Sequence, residues 1–227
     1  MIDIFKQELR FLKSMPHTKR IRYHRGNKAK KICVTLLFYL LIKIVVALTI
    51  GLPILALFPK ISDAYILDID LDFEGIFLIV LFVPLVEELV FRLPLKLSIL
   101  RFNFFLFLIS LGSFFIHMYV GFGMLLIWAL SLNLFFSKKY FKLIKTKWLR
   151  YKVEVFYLFT FLFGLMHAGN FDPQILPWYV FPIVFLPQLI GGFFTAIVRL
   201  RFGFFYGVLL HSFYNGAITL IEFITES

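Results

Sequence analysis

The chain has 227 residues, of which 61% are hydrophobic and 20% are aromatic. Soluble domains are about 45–50% apolar, so this composition excludes an ordinary soluble domain and indicates an integral membrane protein. The formal net charge of +11 would favour nucleic-acid binding in a soluble chain. Here the basic residues lie in short stretches between apolar segments. We therefore assign them to membrane orientation and to anionic lipid headgroups, and we expect no nucleic-acid partner.

The first 31 residues form a basic arm with ten Lys or Arg residues and a weak amphipathic pattern. This pattern predicts a helix that lies at the cytoplasmic membrane interface. The arm is too long and too charged for the start of a signal peptide, so the following apolar run is expected to be a retained helix. The lone cysteine, Cys33, excludes an intramolecular disulfide. We expect one transmembrane domain over residues 32–227.

The apolar runs predict an all-α fold, a polytopic transmembrane bundle of about seven helices. The predicted spans cover about residues 32–58, 74–98, 102–118, 120–136, 153–169, 175–198 and 203–223. We expect Pro84 and Pro94 to kink the second span. The acidic connector over 59–73 is interpreted as a solvated external loop, and 137–152 as a basic loop.

The positions of the basic residues predict the orientation. All Lys and Arg residues except Lys43 and Lys60 lie in the arm, in 92–101, in the 137–152 loop or at the Arg199/Arg201 turn. With seven spans these places share one side, which the positive-inside rule assigns to the cytoplasm. The predicted topology is therefore N-in and C-out. We interpret Lys43, inside the first span, as a snorkelling or paired residue without a catalytic role.

Three ionisable residues, Glu87, Glu88 and Arg92, interrupt the second apolar span. Such residues at bilayer depth are costly and mostly functional. Residues four apart share a helix face, so Glu88 and Arg92 are predicted to form a supporting ion pair. Glu87 lies roughly 100° around the helix from Glu88. It suits a general base if it meets a polar partner on another helix. A purely structural charge cluster is the competing interpretation.

Two further polar groups lie within predicted spans. Phe163 and His167 are four apart in the fifth span, and His211 and Asn215 are four apart in the seventh. A lone histidine in a helix is usually a packed core residue, but carboxylate, imidazole and amide groups on three helices would each need a partner. His117 has apolar neighbours and is interpreted as interfacial. For His167 and His211 to lie at one depth, we expect part of 145–155 to lie along the interface.

Two chemistries fit these residues. In the first, Glu87 and His167 take a proton from water while His211 and Asn215 donate hydrogen bonds to the oxyanion on a peptide carbonyl. In the second, Glu87, His167 and His211 hold a divalent metal such as zinc together with a water. Ligands on separate helices have no diagnostic spacing, so both remain open. Each predicts hydrolysis of a peptide bond in or near the membrane.

The motifs Glu87-Glu88-xxx-Arg92, Phe163-xxx-His167 and His211-xxx-Asn215 resemble, in this order, those of the CPBP (Abi) intramembrane proteases, which include the CAAX-processing type II prenyl endopeptidases. The resemblance covers about residues 74–223. It implies a helical bundle in a bacterial cell membrane with a site open to the cytoplasm. It also implies the water-activating and oxyanion-binding roles above, with the dependence on a metal left open. The long stretch 99–152 departs from the pattern and is interpreted as an insertion.

The leading hypothesis is therefore an intramembrane endopeptidase that acts on a membrane-associated peptide or protein. The alternative is a non-catalytic scaffold or regulator, or a bacteriocin-immunity protein, of the same family. Loss of a motif residue would favour this alternative, and none is lost. A proton or ion transporter would predict matched inverted halves, which the sequence does not contain.

Overall fold

The computed structural model describes residues 2–14, 29–66, 69–115 and 117–226. In this part of the chain every regular element is a helix, which confirms the all-α prediction. The α-helices are α1 (Ile2–Ser14), α2 (Ala29–Val46), α3 (Leu52–Leu57), α4 (Lys60–Ala64), α5 (Phe73–Phe77), α6 (Val83–Phe91), α7 (Ile99–Gly112), α8 (Met118–Phe136), α9 (Lys138–Arg150), α10 (Lys152–Met166), α11 (Phe181–Val184), α12 (Leu186–Phe202) and α13 (Phe204–Glu226). Turns of π-helix cover Ala47–Gly51 and Leu78–Phe82, and turns of 3₁₀-helix cover Ser113–Phe115 and His167–Asn170.

Four helical segments among the described residues are long and apolar enough to cross a membrane. They are Ala29–Leu57, Lys152–Asn170, Phe181–Phe202 and Phe204–Ile221. They correspond to the predicted first, fifth, sixth and seventh spans, and they support a membrane location. Ile99–Gly112 and Met118–Leu132 are shorter apolar helices. The seven-span count and the N-in orientation stay predictions.

Two predicted boundaries were wrong. The helix predicted over 74–98 ends at Phe91, because Pro94 disfavours the α conformation of the residue before it. The segment interpreted as a loop over 137–152 contains α9, a basic amphipathic helix. Its apolar side chains recur at helical spacing, and Lys147 and Arg150 in its last turn favour the negative end of the helix dipole.

A proline follows each of the two π-helical turns. Pro53 and Pro84 each follow such a turn by two residues. A proline has no N–H, so it leaves a carbonyl of the preceding turn without its helical donor. Thr49 in the first turn donates to Val45 O at 2.6 Å.

The chain forms two compact units. Unit 1 comprises residues 1–85 and 160–227 and unit 2 comprises residues 86–159. In unit 1, α2 packs against α12 and α13, α13 packs against Leu78–Phe82, and α1 packs on α2. Gly203, with φ at 126°, separates α12 from α13 in a backbone conformation that favours glycine.

A short bridge in unit 1 ties the segment after α4 to the segment after the 3₁₀ turn of His167. Tyr65 and Phe171 form an isolated antiparallel bridge. Ile66 N donates to Asn170 O at 2.9 Å, and Asp172 N donates to Ala64 O at 2.7 Å. These bonds anchor the C-terminal end of the turn that carries His167.

Unit 2 is an antiparallel helix pair with an additional basic helix. α7 packs against α8, and the Ser110 hydroxyl lies 2.7 Å from Leu106 O and 3.0 Å from Met124 O, so it links the two helices. The Trp148 ring in α9 meets Phe102 at 5.7 Å and Phe159 at 6.2 Å between centroids. Trp148 therefore anchors α9 to the apolar helices of its own unit.

Candidate functional site

Glu88 and Arg92 form the predicted ion pair. Their side chains are 0% and 1% exposed, and Arg92 Nε lies 3.4 Å from Glu88 Oε1. The geometry follows from their spacing, since Arg92 N also donates to Glu88 O at 3.0 Å. The pairing prediction is confirmed. Because both groups are buried, each offsets part of the desolvation cost of the other.

Glu87 lies beside this pair in the sequence but on a different side of α6, and it is half-buried. Glu87, Glu88 and Arg92 belong to unit 2, whereas His167, His211 and Asn215 belong to unit 1. The role of Glu87 as a base stays a prediction.

His167 begins the 3₁₀ turn that follows α10, one turn after Phe163. Its Nδ1 lies 2.8 Å from Phe163 O, and because a carbonyl only accepts, Nδ1 carries the proton. A neutral imidazole in this tautomer has its basic lone pair on Nε2. The local fold thus orients His167 with Nε2 as the nitrogen able to take a proton.

The Phe163 ring contacts both predicted histidines. Its centroid is 4.6 Å from the His167 ring and 5.8 Å from the His211 ring, the latter in an edge-on arrangement. Phe163 and His211 are buried, at 3% and 5% exposure. One aromatic ring of α10 therefore contacts the imidazoles of His167 and His211, while the roles of these histidines stay predictions.

Asn215 donates a hydrogen bond to a backbone carbonyl of the π-helical turn Leu78–Phe82. Its Nδ2 donates to Ile79 O at 3.0 Å. Leu78–Phe82 has i→i+5 bonds, as in Val83 N to Leu78 O, so the next donor, to Ile79 O, would be the nitrogen of Pro84. Proline has no N–H, and the Asn215 amide satisfies this carbonyl instead. One of its two amide N–H groups is used in this way.

A metal centre receives no support from the described residues. In that part of the chain no group of three or more His, Cys, Asp or Glu side chains is arranged to hold a metal ion. Metal binding by Glu87, His167 and His211 stays a prediction.

His117 has a structural place. It is the N-cap of α8, and its Nδ1 accepts from Tyr119 N at 3.3 Å. Its side chain is exposed, which agrees with its interpretation as a residue outside the site.

Unit 1 contains two buried polar clusters whose partners were not predicted, although Lys43 was expected to snorkel or to be paired. Lys43 is 3% exposed and contacts Thr195 and Tyr214. Glu8, 1% exposed, pairs with Arg201 and accepts from Tyr39. The spacing of Tyr39 and Lys43, four apart in α2, was the available signal, since it places both on one helix face. The partners of these residues are distant in sequence and give no such signal.

Comparison with known proteins gives no relative. No protein-family model, no curated protein and no solved structure matches the chain. The resemblance to the CPBP proteases therefore stays a prediction from the three motifs.

Proposed function

We propose that the chain is an intramembrane endopeptidase of the CPBP (Abi) type, which hydrolyses a peptide bond in a membrane-associated peptide or protein. The observation that carries the proposal is the contact of the Phe163 ring with both His167 and His211. This contact joins two of the three motifs at a buried place in a helical membrane protein. A general base and an oxyanion donor of one reaction need such proximity.

The proposed mechanism assigns one task to each residue. Glu87 and His167, through Nε2, take a proton from a water molecule, whose oxygen attacks the peptide carbonyl carbon. His211 and Asn215 donate hydrogen bonds to the oxyanion that forms. The same proton then passes to the leaving amine as the C–N bond breaks. Glu88 and Arg92 support the helix that carries Glu87.

The partners follow from the same proposal. The substrate is a membrane-associated peptide or protein, and the site opens to the cytoplasm of a bacterial cell.

Anionic lipid headgroups bind the basic face of α9, whose side chains Lys139, Lys142, Lys145, Lys147 and Arg150 are exposed. Anionic vesicles should raise the melting temperature more than zwitterionic ones, and a change of Lys142, Lys145 and Lys147 to Gln should reduce this difference. An unchanged difference would exclude α9 as the lipid contact.

The decisive experiment is cleavage of a panel of membrane-anchored peptides by the purified protein in liposomes. Wild type is compared with Glu87→Gln, His167→Ala and His211→Ala. We expect wild type to cut at least one peptide and each variant to lose activity by about a hundredfold or more, the usual contribution of a general base or an oxyanion donor.

Matched controls separate chemistry from folding. His117→Ala removes an exposed histidine, and Glu74→Gln removes an exposed carboxylate, so both should keep wild-type rates. Repeating the cleavage assay with a chelator decides whether activity depends on a metal. If wild type is inert and a cellular phenotype survives Glu87→Gln, the protease proposal is wrong and the scaffold or immunity role replaces it.

A further inference from the structure

Lys43 places a cation deep inside unit 1. It lies in the apolar helix α2, fifteen positions into the span Ala29–Leu57, and is only 3% exposed. A buried ammonium group in a membrane helix is costly unless it is paired, and such residues mark functional places. Its environment is therefore informative.

The pocket around Lys43 is built from three helices. Its Nζ donates to Thr195 Oγ1 in α12 at 3.3 Å, and Thr195 itself donates to Gly191 O at 3.0 Å. The ammonium lies over the Tyr214 ring of α13, 4.2 Å from the centroid. A Cβ at Gly191 would approach Lys43 Cε to 3.3 Å, so glycine leaves the room that the lysine chain occupies.

Tyr214 connects this pocket to the candidate site. It precedes Asn215 directly, and it is three residues after His211, so the two side chains are neighbours on the helix surface. A cation–π contact is strong when the cation is removed from water. A contact of that strength on one side of α13 opposes rotation of the helix about its axis.

We infer that Lys43 is a positioning residue, which holds α13 through Tyr214 in the rotation that presents His211 and Asn215. This inference deepens the proposed function and rests on it only for its effect on catalysis. Its geometric part, the rotation of α13, can be measured without any substrate.

A disulfide probe measures the rotation. A Cβ at Gly216 would lie 3.4 Å from Val80 Cγ1, so side chains at these two positions touch and a cysteine pair there reports on their approach. In the full chain with Cys33→Ser, Val80→Cys and Gly216→Cys, oxidation should form an intramolecular disulfide. Adding Lys43→Met should slow its formation by about tenfold, whereas Lys43→Arg, which keeps the charge over the ring, should preserve it. Lys60→Met, at an exposed lysine, is the matched control.

The cleavage assay supplies the second readout. Lys43→Met should lower kcat by about tenfold with KM unchanged, because displaced oxyanion donors weaken only the transition state. Lys43→Arg should recover most of this loss. If Lys43→Met forms the disulfide at the wild-type rate, the inference is wrong. If the disulfide slows while wild type cleaves nothing, the positioning role of Lys43 stands and the protease proposal fails.

Discussion

At the scale of single residues, the Glu88–Arg92 pair shows how the chain tolerates charge among apolar helices. Both side chains are buried, and their opposite charges lie close enough to form an ion pair. Removing one member of a buried ion pair typically costs 3–5 kcal/mol, whereas replacing both with apolar residues is often neutral. The neighbouring Glu87 is half-buried and belongs to the proposed reaction instead.

This difference gives a test that separates the two glutamates. Glu88→Ala should destabilise the purified protein by roughly 3–5 kcal/mol, because it removes one member of a buried ion pair. Glu87→Ala should abolish cleavage but leave stability near that of wild type. Thermal unfolding in detergent, followed by circular dichroism, measures both variants. The double change Glu88→Leu with Arg92→Met should recover most of the lost stability. Equal losses from Glu87→Ala and Glu88→Ala would contradict the division of roles.

Phe163 gives a second test at this scale. Its ring contacts both histidines and is 3% exposed. Phe163→Ala should cost about 3–5 kcal/mol of stability and remove activity, because the cavity frees both imidazoles. Phe163→Tyr keeps the ring and should retain the alignment of the two histidines, apart from the cost of its added hydroxyl. NMR of histidine-labelled protein would show whether only Phe163→Ala shifts both His167 and His211. An unchanged spectrum would exclude the orienting role of Phe163.

At the scale of elements, one proline explains why Asn215 faces the segment Leu78–Phe82. Pro84 cannot donate to Ile79 O in the i→i+5 register, and Asn215 takes over that bond. A buried carbonyl left without a donor costs about 1–3 kcal/mol. The hydrogen bond between α13 and this turn therefore depends partly on the absence of an N–H group at Pro84.

A double-mutant cycle tests this explanation. Asn215→Ala should destabilise wild type by about 1–3 kcal/mol, since Ile79 O loses its donor. In the Pro84→Ala background the new N–H can satisfy the carbonyls of the turn, so the same change should cost at least about 1 kcal/mol less. Chemical unfolding in mixed micelles gives the four free energies. Additive effects would show that Pro84 and Asn215 are independent.

The N-terminal helix depends on a second buried ion pair. Arg201 in α12 donates to the Glu8 carboxylate of α1 through both terminal nitrogens, Nη1 and Nη2, with Nη2 2.9 Å from Oε1. The Tyr39 hydroxyl also donates to Glu8 Oε2, at 2.9 Å. The Arg201 guanidinium also lies 4.3 Å from the Phe11 ring centroid. α1 is therefore attached to unit 1 through specific side chains, in addition to any contact with lipid.

This attachment predicts an order of effects. Glu8→Ala leaves Arg201 buried without its carboxylate and should cost roughly 3–5 kcal/mol. Tyr39→Phe removes one hydrogen bond to a charged group and should cost about 1.5–3 kcal/mol. Asp3→Ala, at an exposed acid of the same helix, should have little effect and serves as the control. Protease sensitivity of α1 should follow the same order. Equal resistance of all three variants would contradict the attachment.

At the scale of the whole molecule, the sequence predicted what local periodicity controls. The apolar runs predicted the helical fold, and spacing of four predicted the pairing of Glu88 with Arg92. Contacts between residues far apart in the sequence have no periodic pattern, so the partners of Glu8 and Lys43 could not be predicted. The helix α9 was missed because its many lysines were interpreted as a loop, although its apolar residues recur at helical spacing.

Membrane orientation is the last prediction, and it concerns the whole chain. The positive-inside rule places the basic arm in the cytoplasm and the acidic connector outside. In a Cys33→Ser background without thiols, Lys30→Cys and Ser62→Cys give exposed probes on the two predicted sides. A membrane-impermeant maleimide should label Ser62→Cys in intact cells, and Lys30→Cys only after permeabilisation. The reverse pattern would place α9 on the outer surface, away from the anionic headgroups of the cytoplasmic leaflet. The site would then open away from the cytoplasm, and the proposed substrates would have to be external peptides.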